Sequence, residues 1–459
     1  MNKKLNVFVG FVVLMSMLLA ACAQAAPAEQ PAAAEAAPVT EAAPAAEVAA
    51  PATEAPAPVE PAKSDVAKVV RVLAVSGPET DSLIASAAEF EKATGITASI
   101  EQVSRSLWGE RKVRELLQDS GIYDVVMIGG GDDLVWVTQK AHILPLDSYL
   151  KDDDKTQLMH ADYFTKDGAL IGVPQYYNFP MLFYRKDMLE DPQEQAAFKA
   201  KYGRDLTVPT NYDELQQVAE FFNRPADGMA GYCMGGVDWS VFLDFTYFLY
   251  GTGGNFGDLK SGDLTLNSPE FVRALDAMSR MTAYNPKGWE TMSFFDCDTQ
   301  MQQGKAFMYQ NWFYIWSTFQ KEMPDKIAMA PVTGDKQPGA HIGAMVAVIP
   351  QAAPSPDAAG QFVAWMLGAQ YQKEMMTATG NMPVRQDLID DPEVRAQLVG
   401  IDMYEKTVPY LTYQHTTWPS ELDSGVTEAI WKIFKGEMTA QEAADWLQNE
   451  KFANRKAVE

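Results

Sequence analysis

Short apolar runs alternate with helical stripes at the start of the folded part of the chain, and this alternation constrains the fold most. Each strand-like run is rich in β-branched residues and is followed by a breaker or capping residue. The first predicted helix takes Asp81 as its N-cap and Gly95 as its end. The predicted strands are Val69–Val75, Ile96–Val103 and Asp124–Ile128, separated by helices after Asp81 and over Leu107–Gln118. This order predicts an α/β fold with parallel βαβ units.

Polar and aromatic residues follow the carboxyl ends of these predicted strands. Ligands of parallel α/β sheets bind at that edge. Glu79 follows the first strand, Trp108 the second, and Asp132 and Asp133 the third. The two aspartates either cap the next helix or bind a ligand. The glycines at 129–131 lack the Gly-x-Gly-x-x-Gly spacing, so they are a weak phosphate signal.

The first 65 residues predict an export signal and a spacer. Lys3 and Lys4 precede the apolar run Leu5–Ala20, which is typical of a secretory signal peptide over residues 1–21. Residues 23–62 contain 19 Ala, 8 Pro and 6 Glu and no Lys or Arg. Such a composition buries too little apolar surface to fold. Residues 22–65 are therefore expected to be a disordered tether.

Charge and motif content exclude several classes of function. The net charge is −24, so phosphate-rich nucleic acid is not an expected partner. The four histidines are isolated, without metal-binding spacing, and no cofactor or metal is expected. A nucleotide-binding Gly-x-x-x-x-Gly-Lys-Ser/Thr and a hydrolase Gly-x-Ser-x-Gly are absent from the sequence. Cys233 and Cys297 either form one disulfide or stay as buried thiols.

Seven motifs follow one another along the chain: Asp167–Pro174, Met181–Leu189, Val208–Leu215, Met301–Met308, Ile342–Val348, Gly380–Arg385 and Trp418–Leu422. In this order they resemble the family 1 extracellular solute-binding proteins, the sugar-binding group that includes maltose-binding protein. Arg185 replaces the Asn of one motif, and Asn211-Tyr212 replaces Thr-Trp in another. Cys22, after Leu19-Ala20-Ala21, resembles the lipobox of bacterial lipoproteins, which implies cleavage before this residue and its acylation.

The resemblance implies a two-lobed, periplasmic-binding-protein-like fold of type II with three hinge crossings. The crossings are expected near Asn178, Asn311 and Ala347. Lobe 1 would comprise residues 66–178 and 310–347, and lobe 2 residues 179–309 and 348–459. The lobes would close on the ligand, and an ABC permease would recognise the closed form.

A sugar offers apolar faces and many hydroxyls, so its site combines aromatic rings with carboxylates, amides and guanidinium groups. Phe242, Phe245 and Phe248 are expected in the core, and Arg385 either holds its turn or contacts the ligand. The candidate ligand-binding residues are Glu79, Trp108, Asp132, Asp133, Tyr176, Tyr177, Asn178, Asp238, Trp239, Asn311, Trp312, Gly343, Arg385 and Trp418.

The expected protein is a substrate-binding lipoprotein of an ABC importer for a mono- or oligosaccharide, held outside the membrane by lipid at Cys22. One alternative is the same fold with another solute, such as glycerol phosphate, a polyol or a peptide. A second is a sensor that presents its ligand to a receptor. A third is a tethered carbohydrate-active enzyme, which needs two carboxylates about 5–10 Å apart.

Overall fold

The computed structural model describes residues 69–130, 132–258, 261–398, 400–411 and 421–456. For Ser106, Asp132, Val135 and Gln139 only the backbone is described. The predicted signal peptide, the tether with Cys22, and Trp418 lie outside these ranges. Within them, every helix is too short or too polar to cross a bilayer.

The elements are numbered in chain order. The strands are β1 Val69–Val75, β2 Thr97–Val103, β3 Val125–Gly129, β4 Thr165–Lys166, β5 Ala169–Leu170, β6 Val173–Pro174, β7 Pro180–Arg185, β8 Ala230–Cys233, β9 Ala306–Trp312, β10 Ile327–Pro331 and β11 Met345–Val348. The helices are α1 Pro78–Thr94, α2 Arg105–Gln118, α3 Asp132–Lys140, α4 Asp152–Gln157, α5 Lys186–Leu189, α6 Pro192–Tyr202, α7 Tyr212–Phe222, α8 Asp238–Gly251, α9 Pro269–Met281, α10 Phe294–Gln302, α11 Trp316–Glu322, α12 Pro356–Leu367, α13 Ala369–Thr379, α14 Gln386–Asp390, α15 Pro392–Gln397, α16 Ile401–Thr407, α17 Leu422–Phe434 and α18 Ala440–Trp446.

A five-stranded sheet with the order β2-β1-β3-β11-β6 is built on the predicted βαβ units. β1 pairs in parallel with both β2 and β3, which confirms the predicted α/β fold. β11 returns from far along the chain and pairs antiparallel to β3 and β6. The sheet is therefore mixed, with its parallel half formed by the first part of the chain.

Helix α1 shows how local sequence sets these elements. It begins at Pro78, whose fixed φ suits the first turn, so Asp81 lies inside the helix and is not its N-cap as predicted. Its predicted end is confirmed: Gly95 adopts φ 73° and its N–H donates to the Glu91 carbonyl. Helix α2 begins two residues earlier than predicted, because the Ser104 side chain accepts from the Leu107 N–H.

A second, four-stranded sheet has the order β10-β7-β9-β8. β7 carries apolar side chains on both faces, since alternate residues of a strand point in opposite directions. Phe183 packs in a core that continues to the five-stranded sheet. Leu182 packs in a second core, which also contains residues of α8, α9 and α17. The sheet thus lies between two apolar layers, as in the α/β class.

The strand pairing differs from the expected lobe boundaries. The chain passes from the first sheet to the second over residues 175–179, where the crossing near Asn178 was expected. Asn311, however, lies inside β9 and Ala347 inside β11, and the chain changes sheet between β10 and β11. Residues 327–331 therefore pair within the second sheet, while α12 and α13 pack against β1 and α1. Sheet pairing joins residues far apart in sequence, which motif spacing does not reveal.

The two cysteines form a disulfide. Cys233 is the last residue of β8, and Cys297 lies in α10. The Cα atoms are 5.7 Å apart, and the two residues are separated by 64 positions in sequence. Of the two states left open by the sequence, the structure has the bonded one.

Candidate functional site

Two crossing segments meet at Asn178 and Gly343. The Asn178 N–H donates to the Gly343 carbonyl at 2.8 Å, and the Gly343 N–H donates back at 2.7 Å. A Cβ atom at position 343 would lie 2.4 Å from the Trp312 ring, so only glycine allows this approach. The rings of Trp312 and His341 also meet edge to face, with 4.9 Å between ring centroids. Three of the predicted residues are therefore brought together here.

A buried carboxylate, Asp298 of α10, organises the end of β9. Asp298 accepts hydrogen bonds from the Tyr309 hydroxyl at 2.6 Å, the Asn311 amide at 2.6 Å and the Tyr314 hydroxyl at 2.5 Å. The carboxylate is 6 % exposed. Burial raises its pKa to about 6, although the three hydrogen bonds oppose that rise. Asp298 thus fixes the orientation of three polar side chains, two within β9 and one just after it.

A second carboxylate, Glu79, lies in the first turn of α1, just after the end of β1. Its side chain accepts from the Asn381 amide at 3.2 Å. The Asn381 amide oxygen is buried and has no hydrogen-bond partner among the described residues. Burial raises the pKa of Tyr176 and of Tyr314, and the negative charge of Glu79 raises both further. The charge of Glu79 thus acts on one tyrosine of the first crossing segment and on one tyrosine that follows β9.

Exposed rings adjoin the Asp298 cluster. Trp239, in the first turn of α8, is 47 % exposed, and Phe295 of α10 is 55 % exposed. Their ring centroids are 6.4 Å apart, and those of Phe295 and Tyr314 are 6.2 Å apart. We call Trp239, Phe295 and Tyr314 the aromatic platform. Exposed aromatic rings beside carboxylates suit a ligand that has both apolar faces and hydroxyl groups.

Two predicted residues at the first sheet are occupied by internal contacts. The Trp108 ring is 4 % exposed, its Nε1 donates to the Met127 carbonyl at 2.7 Å, and Lys112 Nζ lies 3.6 Å from the ring centroid. Asp133 pairs with Lys112 at 2.5 Å and accepts from the Gly129 N–H at 2.7 Å. These contacts hold α2, α3 and β3 together.

Tyr177 and Arg385 are also buried in internal contacts. Tyr177 is 1 % exposed and its hydroxyl donates to the Met159 carbonyl at 2.5 Å. Arg385 pairs with Asp154 at 2.6 Å and with Asp387 at 2.8 Å. Of the two roles left open for Arg385, these contacts favour holding the turn.

The other predicted residues lie at the platform, in the core or outside the described part of the chain. Asp238 begins α8 next to Trp239, at the platform. The side chain of Asp132 and all of Trp418 lie outside the described residues. Phe245 and Phe248 are fully buried, as expected, while Phe242 is partly buried.

Sequence reasoning missed Asp298, Phe295 and Asn381. Phe295 and Asp298 lie beside Cys297 in the same short segment. Their residue types alone do not indicate a binding surface, because that role depends on contacts with residues far away in the sequence. Asn381 belongs to the Gly380–Arg385 motif, in which only Arg385 was predicted as a candidate ligand-binding residue. Among the described residues, His, Cys, Asp and Glu form no group of three or more that could hold a metal ion.

Comparison with known proteins gives a family and a fold. The sequence profile described as "Bacterial extracellular solute-binding protein" matches residues 85–398. A "Probable ABC transporter-binding protein" of Deinococcus radiodurans is 25 % identical over 241 residues. That match covers 50 % of this chain and 55 % of the relative, so the chain spans about half the length of the curated relative.

Solved structures of similar fold cover most of the chain. The maltose-bound MalE3 of T. maritima has a TM-score of 0.69 at 21 % identity, covering 82 % of this chain and 97 % of that one. The solute-binding protein of Thermotoga lettingae TMO with α-D-tagatose has a TM-score of 0.69 at 19 % identity, covering 82 % of this chain and 97 % of that one. The D-mannitol-bound protein of Agrobacterium vitis S4 has a TM-score of 0.68 at 19 % identity, covering 83 % of this chain and 96 % of that one. At these identities the similarity shows the two-lobed fold.

Proposed function

The chain belongs to the family of bacterial extracellular solute-binding proteins, and on this premise we propose that it captures a sugar or polyol between its lobes for an ABC importer. The family consists of binding proteins and not of enzymes, so the solute is expected to leave chemically unchanged. Glu79 then serves as a hydrogen-bond acceptor for hydroxyl groups of the solute, while Asp298 orients the polar side chains beside the platform.

The observation that carries this proposal is the hydrogen bond from Tyr314 of the aromatic platform to Asp298, together with the negative charge of Glu79, which also acts on Tyr314. Rings bind the C–H faces of a sugar, while carboxylates and amides fix its hydroxyls. Asn381 adds a buried amide oxygen without a partner among the described residues. A hydroxyl group of a bound solute would supply the missing donor. The solutes named for the similar structures, maltose, tagatose and mannitol, have this chemistry.

Lobe closure would occur at the crossing segments. We assign residues 69–174 and 345–398 to lobe 1, following the five-stranded sheet, and residues 180–331 and 421–456 to lobe 2. Asn178 and Gly343, whose backbones are paired, belong to the segments that connect the two lobes. A solute that contacts both lobes binds the closed form more tightly and shifts the population toward it.

The proposed partners follow from the predicted export signal and from the fold. Cleavage before Cys22 and acylation of its thiol would hold the protein outside the cell membrane, and two acyl chains suffice for stable anchoring. The closed lobes would then present the solute to the transmembrane permease. Mass spectrometry of the membrane fraction tests the anchor: a diacylated or triacylated Cys22 is expected, and an unmodified, freely secreted chain would contradict it.

A thermal-shift screen of the purified protein tests the binding function. The panel comprises maltose, tagatose, mannitol, ribitol, a sugar phosphate and a short peptide. A compound at one hundred times its dissociation constant stabilises the protein by about 2.7 kcal/mol. A shift with a sugar or polyol is expected. A shift with the phosphate or peptide alone would keep the family and change the solute class, and chemical alteration of the recovered sugar would indicate an enzyme.

A further inference from the structure

The disulfide joins the two segments that carry the exposed rings of the platform. Cys233 ends β8, and the chain then runs through four residues to α8, where Trp239 lies in the first turn. Cys297 lies in α10 between Phe295 and Asp298. One covalent bond therefore ties the segment of Trp239 to the segment of Phe295.

Hydrogen bonds close a ring around this bond. Cys233 is paired with Tyr309 across β8 and β9. The Tyr309 hydroxyl donates to Asp298, which is the neighbour of Cys297 in sequence. Both cysteines are buried, at 1 % and 0 % exposure. The disulfide, the strand pair and the carboxylate thus hold α10 in one position relative to the second sheet.

The loop between β8 and α8 packs closely against the residues that precede α10. The N–H groups of Gly236 and Val237 donate to the Met292 carbonyl at 2.8 and 3.0 Å. A Cβ atom at position 236 would lie 2.4 Å from the Cα of Glu290, so this contact requires glycine. Beyond the loop, the Trp239 ring meets Phe294 edge to face, with centroids 5.1 Å apart.

We propose that the Cys233–Cys297 disulfide is a positioning element for solute binding, which fixes Phe295 and Asp298 relative to Trp239 before the solute arrives. The inference rests on the proposed function, because it assigns the platform to the solute. Preorganisation of this kind strengthens binding, since the solute no longer has to order the two segments.

The first test removes the bond and measures affinity. The C233A/C297A variant is titrated with maltose and mannitol by calorimetry, well below its unfolding temperature. At least tenfold weaker binding is expected. The control is Phe198→Leu, which perturbs the other apolar core, that of Leu182, at a ring packed on Tyr202 and Phe221, away from the platform. Unchanged affinity in C233A/C297A would overturn the inference, even if its unfolding temperature falls.

A double-mutant cycle separates positioning from a general loss of stability. If the disulfide acts through the platform, its removal in a Phe295→Ala background costs less affinity than its removal in the wild type. Equal losses in both backgrounds would show that the bond acts elsewhere.

Two measurements on the wild type need no substitution. Dithiothreitol reduces the disulfide by two electrons and two protons, giving two cysteine thiols and oxidised dithiothreitol. If reduction weakens maltose binding tenfold, saturating maltose must shift this equilibrium tenfold toward the disulfide, by reciprocal linkage. An equilibrium unaffected by a sugar that binds would contradict the inference.

Hydrogen exchange decides the case in which neither maltose nor mannitol binds. Reduction should then accelerate exchange in α10 but not in α9 of the same lobe. Equal acceleration in both helices would overturn the inference. A failure of the whole solute panel in the wild type, with selective exchange in α10, would instead count against the proposed function alone.

Discussion

Asp133 and Asp298 are two buried carboxylates, one beside each sheet, and their surroundings differ in kind. Asp133 pairs with the Lys112 ammonium at 2.5 Å, so its charge is balanced inside the fold. Asp298 accepts from the side chains of Tyr309, Asn311 and Tyr314, all of which are neutral donors. The first cluster closes a packing contact between helices, while the second adjoins exposed rings. The nature of the partner, and not burial alone, separates a structural carboxylate from a candidate binding one.

The largest expected effect comes from removing the cation of the first cluster. In Lys112→Met, Asp133 stays buried without its counter-charge, which lowers the free energy of unfolding by about 3–5 kcal/mol. Urea denaturation measures this loss, and Lys92→Met, at an exposed surface pair, should change stability by less than about 0.5 kcal/mol. A small loss in Lys112→Met would mean that the two clusters do not differ as described.

The cluster around Asp298 should make the free energy of unfolding depend on pH. The pKa of Asp298 is about 6 in the folded protein, against 3.8 for an ordinary aspartate. The folded state therefore binds the proton more tightly than the unfolded chain. The stability gained from this proton is fully present below pH 3.8 and is lost as the pH rises through about 6.

Comparison with Asp298→Asn isolates that contribution, because the other carboxylates titrate in both proteins. Relative to the variant, the wild type should gain up to about 3 kcal/mol of unfolding free energy as the pH falls from about 7 to 4. Chemical denaturation at several pH values measures the difference. A difference that stays constant with pH would show that Asp298 does not titrate in this range.

Trp108→Phe tests whether a predicted ligand-binding residue is structural. The variant loses the hydrogen bond from Nε1 to the Met127 carbonyl and leaves that carbonyl without this donor. A loss of about 1–3 kcal/mol in unfolding free energy is expected, with unchanged affinity for any sugar that binds the wild type. Weaker binding at unchanged stability would return Trp108 to the ligand site.

Phe295→Ala should have the smallest effect on stability and a clear effect on binding. The ring is 55 % exposed, so unfolding free energy should change by less than about 0.5 kcal/mol. Loss of one stacking ring should weaken solute binding by about 1–2 kcal/mol, or five- to thirtyfold. Ile122→Ala, at a similarly exposed apolar residue near β3, is the matched control and should leave affinity unchanged.

The first half of the first sheet was predictable because its information is local. β1 has the predicted bounds, Val69–Val75, and Gly95 ends α1 as expected, since β-branched runs and a left-handed glycine act over a few residues. The lobe boundaries were less accessible. They depend on β10 and β11 choosing different sheets, which is decided by pairing with strands more than 140 residues earlier.

The site was predicted in part for the same reason. Trp239, Asn311 and Trp312 were predicted from residue type and motif position, and as ligand-binding residues they stay predictions. Asp298 was not, because its meaning comes from the hydroxyls and the amide that converge on it in three dimensions. For Arg385 the sequence left both roles open, and the ion pairs with Asp154 and Asp387 favour the structural one.

The most direct test is a crystal structure of the protein with the sugar or polyol that gives the largest thermal shift. The solute is expected between the two sheets, with a ring or carbon chain against Phe295 and hydroxyls within hydrogen-bond distance of Glu79 and Asn381. A solute bound elsewhere, with these residues unchanged and solvated, would contradict the site proposed here.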